Sequence, residues 1–286
     1  MEQGIIMSVR QKLRNLQDET GEPFENILIK YGLSRLLYRL EKSGNINYFV
    51  LKGAMLFSLW PQIPRRSTRD IDLLGLGVST HERLMEIFTQ ACKVEYSEDG
   101  LRFDAATILT EDIREEQEYH GIRVKLTGYL GKARIPVQID VGFGDAIVPA
   151  PETVEYPKIL DFPAAKIKAY HPATVIAEKL NALVVLGYRN TRMKDFYDLY
   201  MLLQNMNFSD EELSTAITAT FERRKIALPK HTPVAFTSGF IEDGTKNTQW
   251  KAFLKRNSLN LSLEFTEVLE YIEQRLLHIL LNTSPQ

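Results

Sequence analysis

Hydrophobic periods of two and of about 3.6 are mixed up to about Phe143, and beyond Thr174 only the longer one remains, which restricts the fold more than any single motif. Tyr48-Phe49-Val50-Leu51 is a short apolar run ending at Gly53, which reads as a buried strand or the entry to a helix. Asp70-Ile71-Asp72-Leu73-Leu74 alternates polar with apolar and then meets Gly75 and Gly77, the pattern of a strand and a turn. Gly121 to Leu130 and Ile135 to Phe143 alternate on either side of Gly131-Lys132, as two antiparallel strands would. Beyond Thr174 the apolar spacing is three and four, which predicts helices over about 174–187, 193–204, 209–222 and 262–281. Earlier helices are expected over 24–40, from Gly53 to a stop at Pro61 and Pro64, and from a Ser79 or Thr80 cap to Cys92. Pro229 to Gly244 is rich in turn residues and reads as a loop.

This is an α/β chain of the α+β kind, and 286 residues suit two domains of about 150. Pro149, Pro151, Pro157, Pro163 and Pro172 make Asp145 to Pro172 an irregular connector. The boundary is expected there, giving domains over 1–150 and 151–286. With 35 basic and 37 acidic side chains, a net charge of −2 excludes a generally basic nucleic-acid coat. Contact with RNA would need a local patch, for which Arg189, Arg192 and Lys194, or Arg223, Arg224 and Lys225, are candidates. Either cluster is equally a solvated helix end. Tyr188 and Tyr197, beside the first cluster, either stack a base or belong to a core. A single cysteine, Cys92, excludes an internal disulfide and points to a reduced, cytoplasmic protein; its apolar helix suggests a core position. Met1 to Gln17 has no long apolar core, and no run approaches the ~20 apolar residues of a bilayer span, so neither a leader nor a membrane association is expected. The five histidines lack metal-ligand spacing, and neither a P-loop nor a G-x-G-x-x-G fingerprint occurs.

The chemistry is carried by acids. In a strand, Asp70 and Asp72 share one face while Ile71 and Leu73 point to the core. Two adjacent carboxylates repel, and a hard divalent cation such as Mg²⁺ relieves the repulsion. Asp140 occupies the polar face of a strand whose other face is Val137, Ile139, Val141 and Phe143. If the two strands are neighbours, three acids converge, enough for two metals roughly 3.5–4 Å apart at a phosphorus centre. A D-x-D pair is also common at strand ends and turns, and Asp140 is explained equally by an ion pair with Arg69 or Lys179. Lys179 lies beside the apolar face of Ile176, Leu180, Leu183 and Val184, either reaching over a cleft or solvated near Glu178. Asp195 and Asp198 are helical neighbours, functional or simply first-turn acids balanced by Arg192 and Lys194. Thr68 shares a face with Asp70 if the strand extends that far; otherwise it is a surface threonine, and Arg66 and Arg69 are phosphate contacts or solvated.

Four ordered stretches resemble one family. They are Gly53-Ala54 with Arg66-Ser67-Thr68-Arg69-Asp70-Ile71-Asp72-Leu73, Gln138 to Asp145, Pro172 to Leu180 with its T-x-x-x-x-K pattern, and Arg192 to Leu199 with Lys-Asp-Phe-Tyr-Asp-Leu. Together with Tyr31 to Leu40 they are similar to the AbiEii-type nucleotidyltransferase toxins of the DNA polymerase beta-like superfamily. The resemblance spans about residues 24 to 204, and Ala54 stands where the family usually has a second glycine or a serine. It implies a nucleotidyltransferase-like mixed sheet with flanking helices, and a helical C-terminal domain completing the active-site cleft. It implies Mg²⁺ or Mn²⁺ on Asp70, Asp72 and Asp140, and an NTP held by Gly53, Ala54, Arg66, Thr68 and Lys179. Asp70, Asp72, Asp140, Lys179 and Asp195 become the catalytic set, with Asp140 helping to deprotonate the acceptor. It further implies a phage-defence toxin that transfers NMP to a tRNA 3′ end, releases pyrophosphate and blocks translation, with an antitoxin encoded nearby. A protein or small-molecule hydroxyl as acceptor, and a non-catalytic relative, are the alternatives.

Overall fold

A computed structural model describes residues 2–63, 68–77, 79–113, 121–257, 259 and 262–282. The chain divides into two compact units. The first comprises Met1–Trp60, Ser67–Gly144 and Glu152–Ala169, and the second Pro61–Arg66, Asp145–Pro151 and Tyr170–Gln286.

Alternating residues of the first unit form the strands β1 (Phe49–Lys52), β2 (Asp70–Gly75), β3 (Leu101–Ile113), β4 (Gly121–Leu130), β5 (Ala133–Phe143), β6 (Glu152–Glu155) and β7 (Lys166–Ala169). They make one mixed sheet in the order β3-β4-β5-β2-β1-β7-β6. β3, β4 and β5 are an antiparallel meander; β5 then meets β2 in parallel, and β2 pairs antiparallel with β1. The buried face of β5 is Ile135, Val137, Ile139 and Val141, as its alternation predicts. Helices α1 (Glu2–Thr20), α2 (Phe24–Lys42) and α3 (His81–Cys92) belong to the same unit. Thr80 caps α3 by accepting from the Arg83 backbone N–H at 3.2 Å. Cys92, at the end of α3, is half-buried rather than core, and burial pushes its thiol up to about 12. On α2, Arg35 and Arg39 are both buried around the one carboxylate of Asp99.

The second unit contains α4 (Pro172–Leu186), α5 (Met193–Asn205), α6 (Asp210–Arg223), the one-turn α7 (Ser238–Ile241), α8 (Gly244–Arg256) and α9 (Phe265–Asn282). Its centre is aromatic: Phe196, Phe240, Trp250 and Phe265 pack ring on ring. Among the described residues, no helix is long and apolar enough to cross a membrane.

Several elements depart from the sequence reading. β6 and β7 lie inside the proline-rich stretch expected to be irregular, and belong to the first unit although they follow residue 150. β3 escapes the period-two pattern because its register shifts between Asp104 and Leu109. α8 has a sparse apolar face, buried chiefly through Trp250 and Leu254. The helix expected from Gly53 is a short 3-10 helix, Gly53–Ser58.

Candidate active site

The parallel pairing of β2 with β5 sets Asp70 opposite Gln138 and Asp72 opposite Asp140. Ile71 and Leu73, on the alternate positions, are buried, so the acids share the other face. Asp70, Asp72 and Asp140 are each half-buried, and each offers one carboxylate oxygen within 4.8 Å of the others'. Hard oxygen donors so placed suit Mg²⁺ or Mn²⁺, and their mutual repulsion calls for a cation.

The neighbourhood is built by local constraints. Gly53 follows β1 with φ +69, and a Cβ there would meet Asp72 Oδ2 at 1.9 Å. Only glycine both adopts that backbone and leaves room for the carboxylate. Ala54 is buried, its methyl in the core. Thr68 precedes the strand, and its hydroxyl donates to Asp70 Oδ1 at 2.5 Å, fixing the orientation of that acid. Arg69 is exposed and pairs with Glu25 at 3.5 Å. Arg66 lies outside the described residues.

Asp140 finds its partner within the sheet. Arg123 on β4 grips it from the adjacent strand, Nε to Oδ1 and Nη2 to Oδ2, both at 2.8 Å. That pairing raises the guanidinium's pKa above its ordinary value. The sequence held a signal for it. A two-residue turn at Gly131-Lys132 pairs Leu130 with Ala133, and counting back brings Arg123 opposite Asp140. The register continues across the sheet, so Glu111, Arg123, Asp140, Asp72 and Lys52 form one transverse row of charge on five strands.

A second charged constellation lies in the second unit. Lys179 on α4 bridges Asp195 at 2.9 Å and Asp198 at 2.8 Å, both on α5. Arg192 Nε reaches Asp195 at 2.8 Å. The side chains of Asp195 and Asp198 are at most 1% exposed; Asp195 lies in the first turn of α5 and is balanced by Arg192, and Lys179 is not solvated on a polar face. Tyr197 is buried and therefore a core residue, whereas Tyr188 is exposed. Of the second basic cluster, Arg224 is half-buried, donates to Asn181 Oδ1 and faces Asp145 and Glu178.

A family model described as nucleotidyl transferase AbiEii toxin of a type IV toxin–antitoxin system matches residues 35–271. The chain belongs to the AbiEii family. The matched span takes in every acid of the sheet cluster and the whole Lys179 constellation. Among solved structures, a candidate nucleotidyltransferase from H. pylori superimposes with a TM-score of 0.50 at 14% identity, covering 87% of this chain and 93% of that one. JHP933 from Helicobacter pylori gives a TM-score of 0.48 at 13% identity, covering 87% and 90%. No curated protein matches the chain. This AbiEii chain is thus a nucleotidyltransferase with a mixed α/β fold, from a toxin family of type IV toxin–antitoxin systems.

Proposed function

We propose that this AbiEii chain transfers a nucleoside monophosphate from an NTP to the 3′ end of a tRNA, releasing pyrophosphate and blocking translation. The observation that carries the reading is the meeting of Asp70, Asp72 and Asp140 on adjacent strands, within the family match. Their donor set fits Mg²⁺, with Mn²⁺ as a substitute. Bound there, a divalent ion offsets phosphate charge and favours the ionised acceptor hydroxyl.

The chain's own residues supply position. Thr68 holds Asp70, and Gly53 lets the backbone approach Asp72 without a side chain intervening. Gly53 and Ala54 handle the triphosphate in this reading. Catalysis is then largely placement and charge stabilisation, as for phosphoryl transfer in general. The acceptor places the protein in the cytoplasm, acting in phage defence and held in check by an antitoxin encoded nearby.

Purified protein incubated with α-labelled NTPs, Mg²⁺, total tRNA and cell lysate tests the reading. Label is expected on tRNA, falling by about 10²–10³-fold or more in Asp70→Ala and Asp72→Ala. Label on protein or on a small molecule instead would replace the acceptor. Overexpression toxicity that survives both substitutions, with no transfer by any form, would replace the enzyme with a binding protein.

A further inference from the structure

Three carboxylates gathered without a cation drive one another apart. In this sheet the third of them is held by an internal cation, because the Arg123 fork spans both oxygens of Asp140 at 2.8 Å. The same guanidinium has a second, looser partner. Glu111 stands opposite Arg123 on β3, with Arg123 Nη1 at 3.8 Å from Glu111 Oε1. Glu111 is itself anchored by Lys125 at 2.6 Å. Arg123 is about one-third exposed and so has room to move along the row. Arginine suits this place because its planar fork grips one carboxylate bidentately and still offers a nitrogen to another.

We propose that Arg123 is a resident counter-ion of the candidate metal site, acting on its third acid: it keeps Asp140 gathered with Asp70 and Asp72 until a divalent cation arrives, then shifts along the row toward Glu111. This rests on the metal reading given above. Arg123 is accordingly a positioning residue. Cation entry is opposed by Arg123 and assisted by Glu111, so neutralising the two produces effects of opposite sign. A residue needed only for folding would not separate them in this way.

The test is Mn²⁺ binding to the 286-residue chain without nucleotide, followed by calorimetry and by the Mn²⁺ electron paramagnetic signal. Asp70→Asn is expected to lose binding. Arg123→Gln should bind about tenfold more tightly than wild type, and Glu111→Gln several-fold more weakly. Without Mn²⁺, Arg123→Gln should melt below wild type, and saturating Mn²⁺ should close most of that gap. Wild-type binding that Arg123→Gln leaves unchanged or weakens overturns the role of Arg123 while leaving the metal site standing. No binding by wild type and Arg123→Gln alike removes the metal site, and the counter-ion with it. Binding by Arg123→Gln alone overturns the shift of Arg123, because the arginine then closes the site to the ion.

Discussion

The sheet cluster of the first unit and the helical cluster of the second use the same side chains to opposite ends. Between α4 and α5, Asp195 and Asp198 are buried and are met by two cations, Lys179 and Arg192, so the charges cancel. On β2 and β5, Asp70, Asp72 and Asp140 are half-buried and converge, with Arg123 gripping the third and Lys52 standing opposite Asp72, so three acids face two cations. Burial enforces neutrality, because an uncompensated charge in the interior is expensive. Partial exposure tolerates an excess of one sign, and that excess is the capacity to bind something positive. A matched cluster holds structure; a mismatched one at a surface invites a ligand.

Substitution should separate the two. The largest effect on stability is expected from Asp198→Ala, which leaves part of the Lys179 charge buried without its partner. It should cost about 3–5 kcal/mol in urea unfolding. A loss below 1 kcal/mol would mean that the helical cluster is not the matched structural element described here. Gly53→Ala comes next, because its methyl collides with the Asp72 carboxylate and its backbone is held at φ +69. About 1–3 kcal/mol is expected, together with loss of transfer activity; wild-type activity in this variant would show that the close approach is dispensable. The smallest change in stability belongs to Asp72→Asn, which removes one charge from a crowded site. Its midpoint should stay within about 1 kcal/mol of wild type or rise, while transfer collapses. If Asp72→Asn and Asp198→Ala unfold at the same denaturant concentration, the contrast between the regions fails.

How far the sequence revealed these regions depends on the range of the interaction. The alternation of β2, β4 and β5 was legible because one face of each is apolar, and it placed Asp70, Asp72 and Asp140 on polar faces correctly. The local cap at Thr80 was legible for the same reason: donor and acceptor are three residues apart. β3 was hidden because a register shift breaks its period in mid-strand. Lys179 read as ambiguous because its partners come from the next helix, and periodicity within α4 says nothing about them. Arg123 was within reach of turn counting, yet nothing in its own strand marks it as different from other polar positions. Thr68 read as a phosphate contact or a surface residue, whereas its hydroxyl is spent on Asp70, an interaction two residues long.

The parallel register of β2 and β5 has a consequence for synthesis. Both strands must be present before the third carboxylate meets the first two, and between them the chain makes α3, β3 and β4. A ribosome that has delivered the chain only as far as the Gly131-Lys132 turn has therefore made two-thirds of the acidic set, with nothing to complete it. A chain that stops before Asp140 lacks the third acid, so the chemistry proposed for this chain requires that the hairpin has folded back on itself.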